Sequence, residues 1–189
     1  HRALALAAVA AAALLRGPLE ADLVTHVLVQ LPLLALAGAL VARDLIDPGA
    51  AWNRGGVAAL LAAGFLGAFW MLPRSIDAAL TDPGMEAAKF AMLPALGAAL
   101  ATGWTRAAPL LRAVLRAQAV SMCGVLAFLY THAPVRLCNS YLVDDQERLG
   151  LAFLALAVGL AVLWVAPLVA PAGPARRGSA PCRPAEARP

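Results

Sequence analysis

His26 and Gln30 stand one helical turn apart, and Met85, Lys89 and Met92 recur at i, i+4 and i+7, so each set lines one stripe of a helix. Met71 in "FWMLPRSIDAAL" adds a thioether, Cys138 in "APVRLCNSYLVDDQERLG" a thiol, and His132 a second imidazole. Thioether, thiolate and imidazole groups suit Cu(I), whereas carboxylates and carbonyls suit harder ions. His26, Met71, Met85 and Cys138 are therefore the candidate metal ligands. The chain has no Cys-x-x-Cys, His-x-x-x-His or Met-x-x-Met. Each methionine thus reads equally as packing, and each histidine as a hydrogen-bonded interface residue. Lys89 also has two readings. One turn into a membrane helix, it either snorkels to the interface or faces the bundle and pairs with Asp77, Asp82 or Asp145. Catalysis has less support. Asp144 and Asp145 are adjacent, about 100° apart on a helix, and Ser75, Ser121 and Ser140 lack a nucleophile-elbow context. No enzyme is expected.

These residues must be held by an unusually apolar chain: 62% of its 189 residues are hydrophobic, 14% are charged and the mean hydropathy is +0.77. Such a composition belongs in a lipid bilayer. Runs of about 17 to 25 apolar residues mark spanning helices, and five qualify: Leu23 to Ala42, Gly55 to Leu72, Met85 to Trp104, Leu110 to Tyr130 and Leu149 to Val169. Ala3 to Leu15 is a shorter sixth, read as a cut-back helix, although its length also fits the apolar stretch of a signal peptide. The expected fold is all-α, a polytopic transmembrane bundle of about six helices over residues 1–170. A disordered Pro/Arg-rich cytoplasmic tail follows over 171–189. Gly38, Gly64, Gly67, Gly97 and Gly103 suit close helix packing. Pro32 and Pro94 fall inside helices, where they should kink the axis.

The formal charge of +4 and the pI near 9.5 do not signal nucleic-acid binding, because the arginines are scattered between apolar runs. They report topology. Six spans put Arg2, Arg43, Arg54, Arg106, Arg112, Arg116 and the tail arginines on one side, against Arg16, Arg74, Lys89, Arg136 and Arg148 on the other. The positive-inside bias makes both termini cytoplasmic. His26, Trp70 to Pro73, Met85, Lys89, His132, Cys138 and Asp144 to Gln146 then share the outer side. Four inter-helix junctions thus contribute to one face. Trp70 is expected in the interfacial aromatic belt, Pro73 at a helix end, Asp145 as the cap of the last helix, and Gln146 bridging to a neighbour. Near mid-membrane the polar residues are mainly Gln118, Ser121 and Cys123, which argues against a transporter.

"HVLVQLPLLALAG" (26–38), "FWMLPRSIDAAL" (69–80), "GMEAAKFAMLPALGAALATGW" (84–104) and "DQERLG" (145–150) follow the block order of the CtaG-type cytochrome c oxidase assembly family, which the chain resembles over about two thirds of its length. The resemblance implies a multi-pass bacterial inner-membrane protein linked to copper-site formation in caa3-type oxidases, with a haem-copper oxidase subunit as partner. Its pattern has a second histidine one turn after His26, a Trp-His-x-Pro helix end and a His-x-x-x-His helix start. Here Gln30, Met71, and Met85 with Lys89 stand in those places, and only His26 survives. Trp70, Pro73, Asp77, Asp145, Gln146 and Gly150 are retained, with Asp77 and Asp145 setting the local charge. The expectation is the family's fold with an altered or lost copper site, acting in oxidase assembly or as a non-metal scaffold for another membrane protein.

Overall fold

The computed structural model describes residues 2–45, 51–133 and 140–169. Cys138 and the tail lie outside them. Among the described residues the chain is all-helical, without strands. The elements in order are α1 (Arg2–Leu14), α2 (Arg16–Glu20), α3 (Leu23–Thr25), a π-helical turn (His26–Gln30), α4 (Leu31–Leu45), a 3-10 segment (Ala51–Gly56), α5 (Val57–Trp70), α6 (Pro73–Thr81), α7 (Pro83–Arg106), α8 (Pro109–His132) and α9 (Val143–Val169). Among the described residues three helical stretches are long and apolar enough to cross a bilayer: Leu23–Ala42, Pro109–His132 and Val143–Ala166. A fourth is available if α5 and α6, bent by 70°, count as one broken span. The bend has a local cause. Pro73 pushes Leu72 into an extended conformation (ψ 127), which ends α5 and starts α6.

Pro32 acts differently from a simple kink. It has no N–H for the preceding turn, and that turn widens into the π-helix, closed by Leu31 N–H donating to His26 O. Pro94 sits within α7 at the point where α7 crosses α4. The crossing is backbone on backbone. A Cβ on Gly97 would lie 1.7 Å from Ala35 O, and one on Gly38 would lie 1.8 Å from Pro94 O. Only glycine permits this approach, the reason small residues sit at membrane-helix contacts. A similar contact closes the far end of α7. Gly56, at φ 75, would place a Cβ 2.2 Å from Gly103 O, so both its backbone angle and its neighbour demand glycine.

Two apolar clusters fill the bundle. One joins Leu23, Val27, Ile76, Leu126, Tyr130, Leu149 and Phe153, and the other joins Ala12, Leu31, Leu34, Trp70, Ala79 and Leu93. Trp70 is therefore a core residue, 1% exposed, and not a member of an interfacial belt. Its indole meets Phe69 edge to face, and burial against Leu31, Leu34 and Leu93 outweighs the wet interface it could occupy.

Candidate functional site

The turn after α1 builds the site's first wall. Asp22 accepts from Thr25 N–H at 3.0 Å, and Thr25 Oγ1 donates to Leu19 O at 2.8 Å, folding 16–25 tightly so that Glu20 hangs over the start of the next helix. The π-helical turn supplies the second wall, with His26 and Gln30 both fully buried. Lys89, one turn and a half into α7, completes the group and is itself 0% exposed.

Lys89 faces the bundle. Its ammonium pairs with Glu20 Oε1 and donates to Gln30 Oε1 at 3.2 Å. The amide of Gln30 is then oriented by its own chemistry. Its oxygen meets the ammonium, while Nε2 donates to Glu20 Oε1 and to Ala12 O, each at 3.2 Å. Arg16 Nε reaches the other oxygen of Glu20 at 3.1 Å, and its Nη1 pairs with Glu86. The result is an alternating chain, Lys89, Glu20, Arg16, Glu86, with two positive and two negative members. Side-chain exposure is 0% at Lys89, 10% at Glu20, 45% at Arg16 and 18% at Glu86, so the inner pair is the more buried. A charge this deep requires such pairing. Burial works to raise the Glu20 carboxyl, but the hydrogen bond and charge of Lys89, with Gln30 and Arg16, overcome it and hold the group below its ordinary value.

A second connection crosses from the far end of the sequence. Tyr141 O–H donates to Glu20 O at 2.8 Å, which uses the hydroxyl's one proton. The 3.0 Å contact between that oxygen and His26 Nδ1 must then be donated by the imidazole. His26 therefore carries its proton on Nδ1, and Nε2, buried, has no hydrogen-bond partner. Carboxylates hold the backbone on both sides of Tyr141: Asp77 of α6 accepts from Ser140 N–H at 2.9 Å, and Asp145 accepts from Leu142 N–H at 3.3 Å. Asp145 thus caps α9, and Asp82 caps α7 through Gly84 N–H at 2.8 Å. These three acids serve the backbone at helix ends, and the partner of Lys89 is Glu20.

The proposed metal ligands are arranged less favourably. Met71 packs on the cluster of Leu23, Val27 and Tyr130, whereas Met85 packs on the separate cluster of Leu31, Trp70 and Leu93. Cys138 lies outside the described residues. His132 is exposed, stacked on Phe128 with centroids 4.4 Å apart and hydrogen-bonded to Thr131. Of this set, the free lone pair of His26 Nε2 suits a soft metal, but Gln30 and Lys89 are committed to one another and an ammonium repels a metal ion. Among the described residues no three His, Cys, Asp or Glu side chains are grouped to hold a metal ion, and Met71 and Met85 lie in different clusters. Gln146 is buried at the same end of the bundle.

Sequence reasoning missed Glu20, Arg16, Glu86 and Tyr141. Arg16 and Glu20 carry a signal in hindsight, since an i, i+4 ion pair in a seven-residue loop is unusual between two apolar runs. Tyr141 carries none.

Fold and site together define an all-helical chain, suited to a membrane, with a buried charge network where several hairpin ends meet. No protein family matches it, and neither a curated protein nor a solved structure does.

Proposed function

We propose that the chain is a multi-pass bacterial inner-membrane accessory protein related to the CtaG-type oxidase assembly factors it resembles. It works as a scaffold for another membrane protein, with a haem-copper oxidase subunit as the implied partner, and it does not carry copper. Six segments cross or enter the bilayer with both termini cytoplasmic. In this reading α7 joins the spans, because its 24 residues extend about 36 Å against a hydrocarbon core of about 30 Å. Its buried lysine is paired, which makes its lower hydropathy tolerable.

The observation that carries the reading is the hydrogen bond from Lys89 to Gln30. Both positions are ones where the resemblance calls for metal-binding imidazoles, and their contact supports the shared fold. Their chemistry, an ammonium and an amide closed by Glu20, supports the loss of the metal. Cu(I) titration of the purified protein in detergent tests this. Wild type and a triple variant, His26→Ala with Met71→Ala and Met85→Ala, should bind equally weakly, and partner proteins should co-purify with both. Stoichiometric binding by wild type, lost in the triple variant, would overturn the scaffold reading in favour of copper handling.

A further inference from the structure

The opposite end of the bundle holds a second concentration of charge that the proposed function does not use. Arg112 and Arg116 are one turn apart on α8, facing the end of α7. The Arg116 guanidinium lies over the ring of Trp104 from α7 at 5.5 Å and over that of Trp164 from α9 at 5.9 Å. Two indoles from two helices thus flank one exposed cation. Among the described residues Arg112 has a long 3.4 Å bond from Nη2 to Thr105 O, and its Nε is buried without an acceptor. Among the described residues neither arginine has a carboxylate partner. A buried donor left unsatisfied is costly, and a planar guanidinium fork is shaped for bidentate contact with phosphate.

The setting selects the phosphate's source. Arg116 lies about 10 Å along α8 from its start, on one of the stretches apolar enough to span a membrane. Paired tryptophans beside arginines mark the depth of lipid headgroups. We infer that the surface where the end of α7 meets the first turns of α8, flanked by Trp164, binds the phosphodiester of an anionic phospholipid. Arg112 and Arg116 are its donors, and Trp104 and Trp164 hold Arg116 in register. A zwitterionic lipid would bring its own cation against two unpaired arginines, so a net negative headgroup is preferred.

Tryptophan fluorescence reads this directly. With Trp52→Phe in place and Trp70 buried as an internal reference, Trp104 and Trp164 report on lipid held beside them. In detergent micelles, brominated phosphatidylglycerol should quench them at more than tenfold lower mole fraction than brominated phosphatidylcholine. Arg116→Gln, a change at an exposed side chain, should weaken that preference roughly fivefold, the counterpart of about 1 kcal/mol per basic residue at a membrane surface. Arg112→Gln together with Arg116→Gln should abolish it. Equal quenching by the two lipids in wild type would overturn the inference, as would a preference that survives the double variant. Complete relief of quenching by millimolar inorganic phosphate would also overturn it, by showing an anion site with no hold on the lipid.

Discussion

Replacing Lys89 by methionine keeps the length of the side chain and removes its charge. In the native protein the ammonium faces Glu20 and Gln30 and is fully buried. Removing one member of a buried ion pair costs about 3–5 kcal/mol, because the other charge is left uncompensated. Arg16 stays on Glu20 at 3.1 Å, and the Glu20 side chain retains 10% exposure, so the lower end of that range applies. Gln30 Oε1 loses its donor, adding about 1 kcal/mol. Lys89→Met should therefore destabilise by about 3–4 kcal/mol in reversible unfolding in mixed detergent micelles. Glu20→Gln combined with Lys89→Met removes both charges, and its cost should fall to about 1–2 kcal/mol, a coupling of at least about 2 kcal/mol in the double-mutant cycle. Additive single effects, or a Lys89→Met cost below about 1 kcal/mol, would refute the claim that the pair is closed inside the bundle.

Other perturbations separate the elements of the account. Gly97→Leu should prevent folding, and even Gly97→Ala should cost several kcal/mol, because Ala35 O stands where the Cβ must go. Gly64→Ala, Gly124→Ala and Gly159→Ala have nothing within 4 Å, and each should be neutral or stabilise by up to about 1 kcal/mol, read by melting in detergent. Glu20 has a lowered pKa in the folded state, so its contribution is complete above the ordinary value near 4.5 and is lost as pH falls from there through the folded value. The stability gap between wild type and Glu20→Gln should accordingly shrink on acidification below about pH 4.5 and stay constant between pH 6 and 8. Tyr141→Phe removes the hydroxyl shared by His26 and Glu20 O and should cost about 1–3 kcal/mol by the same measurement.

Much of the helical plan was legible because apolar run length is a strong signal. Leu23–Ala42 matches the expected segment, and α8 and α9 contain theirs, α9 with added polar turns. The extra turns of α9 carry Asp144 and Asp145, which favour a helix N-terminus and precede the apolar run that begins at Leu149. The role of Gly97 was legible as a type, since small residues permit close crossings, but its partner, a carbonyl on α4, depends on the rotation of both helices. The site was legible only in part. Helical spacing put His26 with Gln30 and pointed Lys89 inward or outward without deciding which. The deciding residue, Glu20, sits 69 positions from Lys89, and only the tight turn around Asp22 and Thr25 brings it there. Trp70 was misplaced because a tryptophan at a helix end has the same sequence signature whether it meets headgroups or the underside of α4.

Lys89 is the sequence's single lysine, which makes the central claim open to one chemical measurement. Amine-directed reductive methylation of the protein in detergent, followed by peptide mass spectrometry, reads the reactivity of this side chain alone. If the ammonium is enclosed by Glu20 and Gln30, Lys89 should remain unmodified under conditions that label it fully in the unfolded chain. Labelling of the folded protein at the unfolded rate would place the side chain at the membrane surface and contradict the account.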